Sequence, residues 1–129
     1  MDQVERAGDN PARVAVPSGG QIQIQSGFYE GLEVSLDRDW LVIGRGRGAD
    51  VVLAEATISR AHAAIGFDSN AFFVQDLGST NGTLVNGTKV DRQELKPGDE
   101  IRMGRLVIGV TLPEPHAMGA GSGEEGRQA

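Results

Sequence analysis

The sequence predicts an all-β domain, either a sandwich or a small barrel, and two observations lead to that prediction. Short segments rich in apolar residues, several with alternating polar residues, recur between Gln21 and Leu112, separated by Gly, Asn, Asp and Ser. No window of ten or more residues has the 3.6-residue apolar period of an amphipathic helix. A chain of 129 residues with 39% hydrophobic residues is enough for one domain with a single core.

The predicted strands follow one another at short intervals. Residues 21–25 and 32–36 alternate strictly between polar and apolar side chains, which is typical of a half-buried strand. The next strands are predicted at residues 40–43, 51–53, 61–67, 72–76, 83–85, 88–90, 101–103 and 106–112. Turns are predicted at residues 68–70 and 97–99, and Asn86-Gly87 predicts a type I′ hairpin because both residues tolerate a positive φ.

The two ends differ in composition from the middle. Residues 1–18 have no helical or strand period, and residues 114–129 are rich in Gly, so we expect a flexible segment at each end of a domain at 19–113. No run of apolar residues is long enough for a membrane span, and no export signal is present. We therefore expect a cytoplasmic protein that does not bind membranes.

Composition and charge exclude several functional classes. A net charge of −6 argues against a protein that binds the nucleic-acid backbone. The absence of cysteine excludes a disulfide scaffold, a thiolate zinc site and a cysteine nucleophile. With two histidines and no D-x-D-x-D-G loop, we expect neither a metal nor another cofactor.

The first candidate loop is Gly-rich and spans residues 44–49, Gly-Arg-Gly-Arg-Gly-Ala. It fits the dinucleotide-binding pattern G-x-G-x-x-G/A, with Asp68 roughly twenty residues further on. That motif has to open into a helix whose N-terminus holds the pyrophosphate, whereas residues 50–53 read as a short strand. A turn that exposes two arginines is the favoured interpretation.

Two further loops carry polar side chains. Ser59 and His62 suggest a nucleophile and its base, but no G-x-S-x-G elbow surrounds the serine, so a structural histidine is favoured. Residues 76–83, Asp-Leu-Gly-Ser-Thr-Asn-Gly-Thr, predict a long turn that presents Thr80 and Asn81 to a ligand.

Together, the order and spacing of these loops closely resemble the forkhead-associated (FHA) domain, in particular a small, single-domain, bacterial-type member. The resemblance rests on residues 43–45, 58–62 and 76–87, with similar flanks at 50–53 and 95–101, and it covers about residues 21–112. It implies a sandwich of two twisted antiparallel sheets with about eleven strands. It also implies phosphothreonine-peptide binding by loops at one end of that sandwich.

The resemblance assigns a role to each matching residue. Arg45 and the hydroxyl of Ser59 would contact the phosphate, Thr80 would lie beside the phosphothreonine, and Asn81 would hold the peptide backbone. Arg60 would contact the phosphate or the peptide.

Four other positions match the family in a different way. Asn86 is implied as a hairpin residue that also meets the peptide. Gly44, His62 and Gly82 would hold structural positions, and His62 would support the Ser59 loop.

The chemistry of these side chains agrees with the implied roles. A phosphothreonine carries nearly two negative charges, and arginine offers a planar fork of permanently charged donors. An asparagine amide can pair with both the N–H and the C=O of an extended peptide. We expect a monomeric binding module and not an enzyme, whose partner is a phosphorylated protein, either a Ser/Thr kinase or its substrate. The alternative is a phosphorylation-independent scaffold for protein interaction or oligomerisation.

Some small family members place a phosphorylatable threonine in a tail that folds back onto their own pocket. In this chain the first threonine is Thr57 and the last is Thr111. We therefore expect the ligand to come from another chain, or from a part of a larger protein outside this sequence.

Overall fold

The computed structural model describes residues 15–113, so the predicted flexible segments lie outside the described residues except for positions 15–18. Over this range the chain forms eleven strands and no helix, and therefore no helix that could cross a membrane. In chain order they are β1 Gln21–Ile24, β2 Glu33–Ser35, β3 Trp40–Gly44, β4 Val51–Val52, β5 Ala63–Asp68, β6 Ala71–Asp76, β7 Thr83–Val85, β8 Thr88–Val90, β9 Arg92–Glu94, β10 Glu100–Met103 and β11 Leu106–Thr111.

The strands form two sheets, which confirms the predicted all-β fold and its eleven strands. One sheet has the order β9-β6-β5-β3-β4, and the other has the order β2-β1-β11-β10-β7-β8. The core lies between them, and alternate residues of strands such as β1, β10 and β11 turn inward to form it. Its fully buried aliphatic side chains include Ile22, Ile24, Ile43, Ile65, Val74, Ile101, Met103 and Ile108.

One strand pair corrects the expectation of purely antiparallel sheets. Strands β3 and β4 run parallel, with Ile43 opposite Val51. The intervening loop is a compact return and not a hairpin: the Asp50 N–H donates to Val42 O and the Leu53 N–H donates to Gly44 O, each at 2.9 Å. Strand β4 therefore runs in the same direction as β3.

Two strand predictions differ from the structure. Strand β9 was missed because all three of its residues are exposed and polar, so no alternation marks them. The predicted strand at 61–67 begins only at Ala63, since Ala61 and His62 belong to the preceding loop.

The predicted hairpin turns are confirmed by their backbone angles. Ser69 and Asn70 have φ of 53° and 65°, and Asn86 and Gly87 have φ of 50° and 87°. Two successive positive φ values define the type I′ turn, whose twist matches that of the flanking strands.

The register of the strands defines two ends of the sandwich. Ile43 pairs with Ala63, and Ala63 pairs with Asp76, so the loops that follow β3, precede β5 and follow β6 meet at one end. The hairpin that pairs Asp68 with Ala71 lies at the opposite end. The three loops predicted to bind a ligand are therefore neighbours.

Candidate functional site

Backbone hydrogen bonds tie the Gly-rich loop to the loop that carries Ser59. The Arg45 N–H donates to Ser59 O, and the Gly46 N–H donates to Arg60 O, both at 3.0 Å. A side chain at Gly44 would clash with the carbonyl group of Arg60. Glycine at this position therefore permits the close approach of the two loops.

The Arg45 side chain is anchored by one edge of its guanidinium group. Its Nε–H donates to the carbonyl oxygen of Ile58 at 2.9 Å. The two terminal nitrogens make no hydrogen bond within the described residues, and the side chain is exposed. Arg45 thus presents a positioned pair of charged donors to solvent beside Ser59.

His62 is fully buried and joins two of the loops. Its Nδ1 accepts the Ser59 N–H at 3.0 Å, so Nε2 carries the ring proton and donates to Gly82 O at 2.8 Å. Gly82 has a φ of 84°, in the left-handed region that favours glycine. The structure thus places Gly44, His62 and Gly82 in supporting positions.

The Ser59 hydroxyl contacts the third loop. Its Oγ accepts the Thr80 N–H at 3.0 Å, and its own proton remains available to a ligand. Thr80 is exposed at the rim. Ser59 and Arg45 therefore carry free donors on two loops that are joined by backbone hydrogen bonds.

Asn81 bridges the second and third loops. Its Nδ2 donates to Thr57 O at 2.7 Å, which leaves its Oδ1 and a second N–H available to a peptide backbone. The Thr57 hydroxyl accepts the Arg105 N–H at 2.9 Å and donates to Glu55 at 2.7 Å. The hydrogen bonds from Thr57 hold the pKa of Glu55 below its usual range.

Asp76 organises the third loop, and sequence reasoning missed this residue. Its Oδ2 accepts the N–H groups of Gly78 and Ser79 at 3.0 Å, and its Oδ1 accepts the hydroxyls of Ser79 and Thr83. Burial disfavours the carboxylate, but these hydrogen bonds outweigh burial and lower the pKa of Asp76. The spacing of an Asp three residues before a Ser was the available signal, because that pattern marks a side-chain-capped turn.

The structure brings five of the six predicted peptide-binding residues onto neighbouring loops but separates Asn86 from them. Asn86 follows β7, about 10 Å along the strand from Thr83, where the third loop ends. Its amide donates to Asp99 Oδ1 and accepts the Glu100 N–H, both at 2.9 Å. The hairpin role of Asn86 is shown by its φ of 50° and by the pairing of Val85 with Thr88, and its peptide contact stays a prediction.

Metal binding has no support in the described part of the chain. Between residues 15 and 113, no group of three or more His, Asp or Glu side chains is arranged to hold a metal ion.

Comparison with known proteins decides the family. The model of the FHA domain family matches residues 41–104. The glycogen accumulation regulator GarA of Mycobacterium tuberculosis is 34% identical over 110 residues, which cover 82% of this chain and 68% of GarA. The chain belongs to the FHA domain family.

Two further comparisons agree with this assignment. The oxoglutarate dehydrogenase inhibitor of Corynebacterium diphtheriae is 36% identical to this FHA domain protein, over 81% of this chain and 73% of the inhibitor. A solved structure from a study of phosphothreonine-dependent FHA domain interactions has a TM-score of 0.69 and 35% identity, and the match covers 76% of this chain and 99% of that one. The two relatives are named as a regulator and an inhibitor.

Proposed function

We propose that this FHA domain binds phosphothreonine in partner proteins and so acts in Ser/Thr kinase signalling. One observation supports the proposal above the others: Arg45 and Ser59 carry free donors on loops that are hydrogen-bonded to each other. Two guanidinium N–H groups and one hydroxyl complement the three acceptor oxygens of a phosphate dianion. The relatives named as a regulator and an inhibitor agree with such a role.

The hydrogen bonds also explain how the site is ready to bind. His62 fixes the Ser59 backbone, Ile58 O fixes the Arg45 guanidinium group, and Asp76 shapes the third loop. Little side-chain freedom is left to lose on binding, so more of the interaction energy appears as affinity. Asn81 would hold the peptide backbone beside the phosphothreonine through its free Oδ1 and N–H.

The same contacts argue for a binding module rather than an enzyme. A Ser-His pair requires the imidazole to accept the serine hydroxyl proton, whereas His62 Nδ1 accepts the Ser59 backbone N–H. The other ring nitrogen is bonded to Gly82 O. The Gly-rich loop leads into strand β4, so no helix N-terminus follows it to hold a pyrophosphate.

We place the protein in the cytoplasm and expect it to act as a monomer.

The experiment is a titration of a phosphothreonine peptide, selected from a degenerate library, monitored by fluorescence polarisation. The matched controls are the same peptide with unmodified threonine and the variant Arg102→Ala, which removes an exposed arginine of β10. We expect Arg45→Ala to weaken binding by about 10- to 100-fold because it removes charge-assisted hydrogen bonds. Equal affinity for wild type and Arg45→Ala, or for the two peptides, would contradict the proposed function and favour the phosphorylation-independent scaffold.

A further inference from the structure

The Gly-rich loop carries a second arginine, Arg47, that the phosphate contacts described above leave unused. A turn closed by the Ala49 N–H and Gly46 O, 3.1 Å apart, places Arg47 near its tip. Apart from its chain neighbours, no atom lies within 4 Å of the position that a Cβ at Gly48 would occupy, so the turn is open to solvent at Gly48. Arg47 is therefore free to reach a ligand.

Arg60 lies against Gly46, the residue that precedes Arg47. A Cβ at Gly46 would lie 3.0 Å from the Cβ of Arg60, so the Arg60 side chain starts directly against the residue that precedes Arg47. The hydrogen bond from the Gly46 N–H to Arg60 O holds this arrangement. Three exposed arginines, at positions 45, 47 and 60, thus lie on two joined loops.

These arginines have no carboxylate partner among residues 15–113. The ion pairs in this part of the chain involve Arg38, Arg92 and Lys96. The nearest acids in sequence are already engaged: Asp50 with Arg38 at 3.3 Å and with the Val42 N–H at 2.8 Å, and Glu55 with Thr57. A concentration of positive charge with no carboxylate partner between residues 15 and 113, on a chain of net charge −6, indicates an anionic ligand.

One phosphothreonine does not balance this charge. The phosphate supplies at most two negative charges against three arginines. Two residues of chain span at most about 7 Å, so the Cα atoms of Arg45 and Arg47 lie no further apart than side chains on one face of an extended peptide. A negative group close to the phosphothreonine in the ligand could therefore reach Arg47.

We propose that Arg47, together with Arg60, forms a second anion subsite that selects phosphothreonine ligands bearing a further negative group nearby. The inference rests on the proposed function. The ligand chemistry is a carboxylate of Asp or Glu or a second phosphate, and Arg47 binds it while Arg45 and Ser59 bind the phosphothreonine. Arg47 determines specificity and contributes little to the binding of a ligand whose flanks are neutral.

The test compares three sets of peptides that share one phosphothreonine. In the first set the residues that flank the phosphothreonine are neutral. In the second set, Asp is placed in turn at each position from four residues before to four residues after the phosphothreonine. In the third set, a second phosphothreonine is placed at those same positions. Affinities are measured for wild type, Arg47→Ala, and the control Arg102→Ala. In wild type we expect a negative group at one or more positions to raise peptide affinity by about fivefold or more. Arg47→Ala should abolish this gain but bind the neutral peptide within about twofold of wild type.

The outcomes separate this inference from the proposed function. If neutral peptides bind wild type and not Arg45→Ala, and no added negative group increases affinity, the second subsite is wrong and the phosphothreonine site stands. A gain that persists in Arg47→Ala, or is lost equally in Arg102→Ala, also overturns the subsite. If no phosphothreonine peptide binds at all, both proposals fail. A gain confined to the second or the third set identifies the carboxylate or the phosphate as the ligand group.

Discussion

Ser59 illustrates how one residue connects the site to the fold. Its backbone N–H donates to buried His62, and its hydroxyl accepts the Thr80 N–H while keeping a proton for a ligand. The hydrogen bond to His62 is made by the Ser59 backbone and does not depend on the Ser59 side chain. The hydroxyl can therefore be removed with little damage to the loop.

We expect Ser59→Ala to reduce the free energy of unfolding by about 1 kcal/mol or less, because the exposed Thr80 N–H can turn to water. Phosphothreonine-peptide affinity should fall by about tenfold or more, since a donor to the dianion is lost. Urea unfolding and peptide titration measure the two effects. The control is Ser35→Ala, at an exposed serine of β2, which should change neither quantity. A fall in affinity that merely parallels a fall in the free energy of unfolding would contradict the role of the Ser59 hydroxyl as a donor to the phosphate.

Asp76 predicts a measurable pH dependence of stability. Its pKa in the folded state is depressed, so its carboxylate contributes stability above its unfolded pKa of about 4 and loses it as the pH falls through the folded value. Asp76→Asn should lower the free energy of unfolding by about 1–3 kcal/mol at neutral pH, because the Asn side chain cannot accept all four hydrogen bonds. The difference from wild type should shrink as the pH falls below about 4.

Urea unfolding between pH 7 and pH 3 checks this prediction. Asp91→Asn is a suitable control, because Asp91 is exposed and its carboxylate has no hydrogen bond among the described residues. A difference between wild type and Asp76→Asn that stays constant with pH would contradict it.

At the scale of elements, the site depends on how closely the end of β3 approaches the Ser59 loop. Gly44 is the last residue of β3, and the Arg60 carbonyl group occupies the space that its side chain would need. Gly48, four residues along the same loop, has open space around it. The two glycines thus provide a matched pair of positions.

We expect Gly44→Ala to lower the free energy of unfolding by about 2 kcal/mol or more, because the new methyl group meets backbone, which cannot move aside as a side chain can. It should also weaken peptide binding by separating Arg45 from Ser59. Gly48→Ala should leave the free energy of unfolding within about 0.5 kcal/mol of wild type. Thermal unfolding of the two variants decides the point, and equal destabilisation would refute the packing explanation.

Most strands could be predicted because the pattern of apolar and polar residues along them reflects which side chains are buried. Strand β1 alternates between core and surface, and the Asn86-Gly87 turn has a specific backbone requirement. Strand β9 could not be predicted, because its pairing with β6 is decided by the sheet edge and not by its own exposed residues. The parallel β3–β4 pair was also hidden, since strand direction depends on a loop closed by backbone hydrogen bonds.

For the site, the residues could be predicted from the sequence, but the hydrogen bonds between them could not. Loop order brought Arg45, Ser59 and Asn81 to attention, but the internal hydrogen bonds of Asp76 and Thr57 depend on how the loops fold against one another. The peptide contact of Asn86 stays a prediction, because both ends of its amide serve the turn at Asp99 and Glu100.

At the scale of the whole molecule, an acidic chain carries a local basic site. The net charge of −6 repels general polyanions, while the arginines of the two joined loops attract a compact anionic ligand segment. Such a site should respond to the charge state of its ligand. Affinity is therefore expected to depend on pH through the phosphate itself.

We expect phosphothreonine-peptide affinity to fall as the pH drops below about 6, where the phosphate takes up its second proton and loses one charge. Titrations at pH 7.5 and 5.5 measure the change. The control ligand is a difluoromethylene phosphonate analogue, which stays dianionic at lower pH because fluorine withdraws electron density, and whose affinity should change less. Parallel loss for both ligands would show that the protein, and not the phosphate, is titrating.

The most direct test of the central claim is the response of individual backbone amides to a phosphothreonine peptide, followed by NMR on the ¹⁵N-labelled protein. We predict that the amides of the three loops shift on titration, above all those of Arg45, Gly46, Ser59, Arg60, Thr80 and Asn81. The amides at the opposite end, at Ser69, Asn70 and Gly98, should stay unchanged, and the unphosphorylated peptide should move none of them. Shifts at the opposite end or on a sheet face, with the three loops unmoved, would contradict the assignment of a phosphothreonine site to these loops.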